Sequence, residues 1–353
     1  MTISIFHFFK PSENFSRMLD GSAGTPLVYR TLVPSVTKAL VFLSPSFLQN
    51  AVNSVAAHII LEHPGRVFSR EQLLDIALMR PTSSVASIFI FYLDYILSHN
   101  ETYQFFMVSL IMYICLLAYA ASLFLLGRAL FPHNRAVAIF APIIGMMVLP
   151  GFEYPTGIRI YDFPQLMFTT LCLYCMGTGR LRLYLLIFAL SCVNKETTIF
   201  LSLFFAVWFR TRQPLKSYTF YMCMQICLFL IIKLTINYCF RNNPEPNWFL
   251  QTSQVRALFE SYTFSTMFNI LFLCQMIVYK FVETPLFLRY SLILIIPQYL
   301  AYLLFCAEGE YRNFFEVLPI ITIMLTHTIM RYSGIDRIDW LQCSPVRSCS
   351  DHS

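Results

Sequence analysis

The sequence predicts an all-α protein, a polytopic transmembrane helical bundle, on three grounds. Of the 353 residues, 57% are hydrophobic and only 12% are charged, about half the charged share of a soluble domain. Runs such as residues 103–126 and 290–307 contain no charged residue and approach or exceed the ~20 residues that a helix needs to cross the bilayer. Only helices and closed barrels satisfy their backbone groups in lipid, and these runs lack the alternation of barrel strands.

About 10–11 apolar segments lie between charged, proline or glycine residues, and some are shorter than a full span. Short or re-entrant segments are expected where protein rather than lipid surrounds the backbone. Without an internal repeat, we expect an extracytoplasmic segment at 1–35, one transmembrane domain at 36–330 and a cytoplasmic tail at 331–353. The apolar segments are residues 36–61, 84–98, 105–126, 136–149, 163–176, 183–193, 197–209, 218–236, 266–279, 290–306 and 315–330.

Three smaller features have simple interpretations. Residues 1–9 are too short for a signal-peptide core and Lys10 follows them, so no cleavable signal peptide is expected. Lys233 lies near the end of an apolar segment, and we expect its ammonium to extend to the membrane interface. Cys172 and Cys175 have the C-x-x-C spacing but lie inside an apolar segment, where cysteine behaves as a small hydrophobe.

Basic residues predict the orientation of the segments. If the segments alternate in direction, the loops around residues 128–135, 180–182 and 210–216 belong to the set with more Lys and Arg, and that set is expected in the cytoplasm. The basic loops also account for the net charge of +6, so no nucleic-acid partner is expected. Extracytoplasmic loops then hold the remaining polar candidates, which are Asp20, Arg30, Glu153, Asp162, Lys195, Glu196, Glu310 and Arg312.

Lys195 and Glu196 are the most informative of these residues. They separate two apolar segments of about a dozen residues each, so they lie near or within the membrane boundary. An ionisable residue at that depth costs up to roughly 2.5–3.5 kcal/mol and needs a partner or a purpose. Either Lys195 pairs with a carboxylate at a tight helix–helix turn, or these residues line a cavity. That cavity would contain Asp20, Glu153, Asp162, Lys195, Glu196, Glu310 and Arg312.

Two of the other candidates also have alternative interpretations. Asp162 precedes Phe163 and Pro164, a pattern typical of a helix N-cap with proline in the first turn, and the same carboxylate suits a catalytic or ligand role. Arg312 follows Glu308 and Glu310 in the sequence. It belongs either to a solvated charge cluster at a helix end or to a site that binds an anion such as phosphate with the arginine fork.

Four stretches carry a resemblance to a known group. They are Y-R-x-L-x-P from Tyr29, I-Y-D-F-P-Q-L-M-F from Ile160, F-A-L-S-C-V-N-K-E-T from Phe188 and E-Y-R-N-F-F-E-V-L-P from Glu310. The chain resembles a group of uncharacterised bacterial polytopic membrane proteins with Y-D-F-P, N-[RK]-E-T and E-x-R elements. That group is similar in layout to the GT-C glycosyltransferases, which use lipid-phosphate sugar donors outside the cytoplasm. A clear first membrane helix before Asp20, typical of those enzymes, is missing here.

The resemblance implies a membrane glycosyltransferase that takes a sugar from a polyprenyl-phosphate donor at the extracytoplasmic face, in a bacterial inner membrane. Asp20 would be the general base, with Glu153 or Asp162 as alternates. Arg30, Lys195 and Arg312 would neutralise the donor phosphate. Some GT-C enzymes use a divalent cation and others none; Asp162 and Glu196 are suitable oxygen ligands for Mg²⁺ or Mn²⁺. A transporter or flippase of a lipid-linked or small anionic substrate, and a non-enzymatic assembly subunit, stay open as alternatives.

Overall fold

The computed structural model describes residues 30–61, 102–153, 160–243, 271, 274–279, 281–305 and 314–335. In these ranges the ordered elements are helices, without a strand. The expected segments from 105–126 to 218–236, and those at 290–306 and 315–330, each coincide with helical structure. The expected segment at 84–98, and half of the one at 266–279, lie outside the described residues. An all-α fold is thus confirmed for the described part of the chain.

The expected segment at 36–61 is wrong as a single helix. Two helices replace it, α1 (Leu32–Leu43) and α2 (Ser46–Leu61). Ser44 between them has φ −76° and ψ 132°, the extended conformation that a following proline imposes. Pro45 therefore ends α1 before it is long enough to cross a membrane.

Helices α3 (Thr102–Leu130) and α4 (Arg135–Glu153) form the centre of the bundle as an antiparallel pair. Small residues let their backbones approach closely, as is common where helices pack in membranes. A Cβ atom placed on Gly127 would lie 3.0 Å from the Cα of Ala138, so a side chain there would push the two helices apart.

Helices α5 (Asp162–Gly177) and α6 (Leu181–Asn194) form an antiparallel hairpin against α3. Gly179 permits the tight turn between them because its φ is +72°, a conformation that side chains disfavour. Lys195 is extended and is followed by a 3₁₀ turn (Glu196–Ile199), which reverses the chain into α7 (Phe200–Phe209).

Helix α8 (Leu215–Cys239) follows α7 and lies beside α6. The Tyr184 hydroxyl donates to Gln225 Oε1 at 2.7 Å, and the ring of Tyr184 stacks on Phe205 with centroids 5.6 Å apart. Tyr184 is near the start of α6 and Gln225 is in the first half of α8, and Lys233 near the end of α8 interacts with Glu196 just beyond the end of α6. The two helices therefore run in the same direction. Lys195 and the C-terminal part of α8 are therefore at the same end of the bundle.

The last described elements pack on α7 and α4. They are a 3₁₀ turn (Phe281–Glu283), α9 (Leu286–Ser291), a 3₁₀ turn (Leu292–Leu294), α10 (Ile295–Phe305) and α11 (Leu318–Tyr332). Phe287 packs edge-on against Phe204 of α7 with centroids 5.0 Å apart. Helix α11 packs on α4.

Three stretches of the described chain have the length and composition to cross a membrane: Phe106–Leu130, Leu215–Cys239 and Leu286–Leu304. Helix α8 exposes apolar side chains along most of its length and buries only Gln225 and Ile236. Such a surface is unfavourable in water and favourable in lipid. These features support a membrane protein.

Candidate functional site

Lys195 and Glu316 form a buried ion pair where α6 meets the start of α11. Lys195 Nζ lies 2.9 Å from Glu316 Oε1, and both side chains are almost completely buried. The Glu316 carboxylate also accepts hydrogen bonds from the Thr197 hydroxyl and, at 2.9 Å, from the Gln298 amide. The expectation that Lys195 pairs with a carboxylate at a tight helix–helix turn is confirmed.

Electrostatics keep Lys195 charged in this position. Burial alone would lower the pKa of Lys195, but the Glu316 and Asp162 carboxylates raise it above its usual value. Breaking a buried pair of this kind is costly, because the remaining charge has no partner and no water.

Arg30 forms a second ion pair beside the first. Its Nη2 lies 2.7 Å from Glu196 Oε1, and its guanidinium stacks over the ring of Tyr161 at 4.0 Å from the centroid. Burial would lower the pKa of Arg30, but Glu196 and Tyr161 raise it above its usual value. The contacts attach the segment before α1 to the N-terminus of α5 and to the 3₁₀ turn.

A neutral hydrogen-bond network supports both ion pairs. The Asn194 amide donates to the Tyr161 carbonyl at 2.9 Å and to Gln165 Oε1 at 3.2 Å. The hydroxyls of Ser191 and Thr198 are 2.8 Å apart, and Gln165 Nε2 donates to Thr198 Oγ1 at 3.2 Å. These bonds hold α5, the end of α6 and the 3₁₀ turn in one arrangement, since buried polar groups are costly unless bonded.

Asp162 is the first residue of α5 and not its N-cap, so the N-cap interpretation is wrong by one position. Tyr161 is at the N-cap and makes no side-chain cap hydrogen bond. The Asp162 carboxylate is buried and its charge interacts with both Arg30 and Lys195. A carboxylate is also favourable in the first turn, where the helix dipole is positive.

The Lys233 ammonium lies inside the protein, and not on the lipid-facing surface from which an extension to the membrane interface was expected. Its Nζ atom is buried, and its charge interacts with those of Glu196 and Arg30. Helical side chains tilt towards the N-terminus of their helix. Because α8 ends on the side of the cluster, that tilt directs the Lys233 side chain along the axis of α8, away from this end of the helix.

The cluster thus contains three cations and three carboxylates within the described residues: Arg30, Lys195, Lys233, Asp162, Glu196 and Glu316. Of the predicted site residues, Arg30, Asp162, Lys195 and Glu196 come together. Asp20, Glu310 and Arg312 lie outside the described residues, as does the side chain of Glu153 at the end of α4.

Sequence reasoning missed Glu316, Gln298 and Lys233 as members of the cluster. The sequence contains a sign of each of them, because a polar side chain beside or inside an apolar helix needs a partner. Gln298 interrupts the apolar α10, and Lys233 interrupts α8. Nothing in the sequence indicated which polar residues would be those partners.

A divalent cation stays a prediction. Across the described ranges, no group of three or more His, Cys, Asp or Glu side chains is arranged to hold a metal ion. Cys172 and Cys175 are buried free thiols there, in agreement with their interpretation as small hydrophobes.

The pairing of Arg30 with Glu196 predicts a measurable coupling. Arg30→Met and Glu196→Gln should each lower the free energy of unfolding by about 1.5–3 kcal/mol, since each removes a charge-assisted hydrogen bond. The double variant should be less unstable than the sum, with a coupling of about 0.5–3 kcal/mol. Denaturation in detergent micelles, followed by circular dichroism, measures all four proteins. Strictly additive losses would show that the pair does not form.

No protein-family model matches this chain, and comparisons with curated proteins and with solved structures find no match either. Functional interpretation therefore depends on the site itself.

Proposed function

We propose that this protein is a multi-pass membrane glycosyltransferase that takes a sugar from a polyprenyl-phosphate donor at the extracytoplasmic face of a bacterial inner membrane. One observation carries the proposal. Six charged side chains lie together inside the bundle, away from its basic end, in a chain of which only 12% is charged. Burying an ionisable group within the membrane costs free energy. Clusters of such groups are found at substrate sites more often than elsewhere in a protein.

The distribution of basic residues supports the orientation. Arg128 and Arg180 lie at the end of the bundle opposite the cluster, where the side chains of Leu130 and Phe287 both lie close to Gly177. Arg331 is at this end too and pairs with Glu283 at 3.1 Å. Basic loops stay in the cytoplasm, so the cluster faces outwards.

Cysteine labelling tests this topology. In a cysteine-free background, a cysteine at Thr178 or Arg212 should react with a membrane-impermeant maleimide only after the membrane is permeabilised. A cysteine at Asn242, just beyond α8, should react in intact cells. All three positions are exposed, so access to the reagent depends on sidedness rather than burial. Reaction at Arg212 in intact cells would contradict the orientation.

The cluster contains the groups that sugar transfer needs. A carboxylate removes the proton from the acceptor hydroxyl as that oxygen attacks the sugar, and the bond to the phosphate breaks. Asp162 is the base candidate within the described residues, and Asp20 and Glu153 are the alternates. Arg30, Lys195 and Arg312 stabilise the negative charge that develops on the leaving phosphate, while Glu196 and Glu310 orient these cations or the sugar.

Transfer of a labelled sugar from a panel of polyprenyl-phosphate donors tests the proposal directly. Membranes that contain the protein should form a labelled product, and membranes without it should not. If no donor and acceptor pair gives product, while the purified protein moves an anionic solute into liposomes, the proposal fails in favour of transport.

Transport is the second candidate because of Lys233. This lysine is inside a stretch long enough to span the membrane, and its charge interacts with Glu196. An ammonium and a carboxylate that can exchange partners are typical of coupled transport sites. The liposome arm of the assay distinguishes the two functions.

A further inference from the structure

We infer that Lys233 and Arg30 form a lateral binding site for the phosphoryl group of a lipid that enters from the outer leaflet along α8. The site deepens the proposed function and rests on its membrane topology, but not on sugar transfer. The physical basis is the depth of the cluster, the donor atoms left without hydrogen bonds, and the lipid-facing surface around Lys233.

The lengths of the helices give the depth of the cluster. Gly177 and Leu130 lie side by side at the basic end of the bundle. From Gly177 to Asp162, helix α5 rises about 22 Å, whereas α3 rises about 40 Å from Leu130 to Tyr103. Helix α3 therefore continues about 18 Å beyond the cluster.

Helix α1 gives the same value independently. It starts beside Arg30 in the cluster and ends at Leu43. The hydroxyl of the next residue, Ser44, accepts a hydrogen bond from Tyr103 at 2.7 Å. The 12 residues of α1 rise about 18 Å. With the basic end at the cytoplasmic boundary of a ~30 Å hydrocarbon layer, the cluster lies about 8 Å inside the outer boundary. Lys233 is about 27 Å along α8 and is closer still to that boundary.

Donor atoms without partners lie at this depth. In the described part of the chain, the donors Lys233 Nζ and Arg30 Nε are buried and make no hydrogen bond, and the acceptor Glu196 Oε2 also makes none. Arg30 donates a hydrogen bond to Glu196 through Nη2, so its guanidinium still has Nε as an unused donor. Buried donors of this strength are costly unless a ligand satisfies them.

The surroundings of Lys233 favour a lipid as the source of that ligand. Leu230, Ile231 and Leu234 are exposed on α8 around it, with Ile231 exposed at 62%. A lipid tail can lie along these residues while its headgroup reaches inwards past Lys233. Phosphate suits the donors, because its tetrahedral oxygens accept from an ammonium and an arginine fork at the same time. The phosphate then replaces the Glu196 carboxylate as the partner of Arg30.

Lipid binding in nanodiscs tests this inference. The probe is a polyprenyl monophosphate in phosphatidylcholine nanodiscs, with the same polyprenol lacking phosphate as comparator. Wild-type protein should retain the phosphate form and not the alcohol. Lys233→Met should weaken retention about tenfold or more, the loss expected for a charged hydrogen bond. Lys216→Met, an exposed lysine at the opposite end of α8, should change nothing.

A second variant and a competition experiment complete the test. Lys233→Arg retains the charge and should retain binding, and it covers the case in which Lys233→Met does not fold. Inorganic phosphate should not compete at millimolar concentration; full competition would overturn entry from the lipid. Equal retention by wild type and Lys233→Met would overturn the site. Retention that depends on Lys233, combined with no sugar transfer from any donor, would leave the site standing and reject the glycosyltransferase.

Discussion

Glu316→Gln is expected to lower the free energy of unfolding by about 3–5 kcal/mol, the loss typical of a broken buried ion pair. The substitution keeps the shape of the side chain, so the lost free energy of unfolding measures the contribution of the negative charge. Lys195 would keep its ammonium in a buried position, with the Asp162 carboxylate as a partial substitute. Denaturation in detergent micelles, followed by circular dichroism, measures the loss.

Two further variants make this result interpretable. Glu283→Gln breaks the pair with Arg331, in which both side chains are more than one-third exposed, and should cost no more than about 1 kcal/mol. The double variant Lys195→Met with Glu316→Leu removes both charges and should recover most of the stability. If Glu316→Gln is no less stable than Glu283→Gln, the cluster is solvated in the membrane and the ion pair contributes little.

Asp162→Asn is expected to reduce sugar transfer by about 10²–10⁴-fold while donor binding is retained. The amide keeps the shape of the carboxylate but accepts no proton, and general base catalysis is worth about that factor. Arg312→Ala should do the opposite and weaken donor binding, with only partial rescue by Arg312→Lys, because an ammonium lacks the fork. The measurements are single-turnover transfer from a labelled donor and retention of that donor in nanodiscs.

The same experiment separates the candidate bases. Glu283→Gln is distant from the cluster and should transfer sugar at the wild-type rate. A fully active Asp162→Asn variant would move the role of base to Asp20 or Glu153, and the corresponding Asn and Gln variants are then the next to measure. Loss of transfer together with loss of stability would instead assign Asp162 a structural role beside Arg30 and Lys195.

Most of the helices were predictable because they depend on local composition. In lipid, the backbone N–H and C=O groups of an apolar run need hydrogen-bond partners. A helix supplies these partners within the run itself. Proline and glycine set several boundaries in the same local way, as at Gly179 and Pro214. The segment at 36–61 is the exception, since both of its halves are apolar but Pro45 divides it into two helices.

The sequence by itself determined that Lys195 needs a partner, because an ammonium between two short apolar segments is too costly alone. Only the tertiary structure decided that this partner is Glu316. Glu316 also accepts a hydrogen bond from Thr197, from which it is 119 residues distant in the sequence. The same holds for Arg30 and Glu196, which are 166 residues apart, and for Lys233. Partner choice depends on how each helix is rotated and which way it runs. Those variables follow from packing between helices, which composition along one segment does not contain.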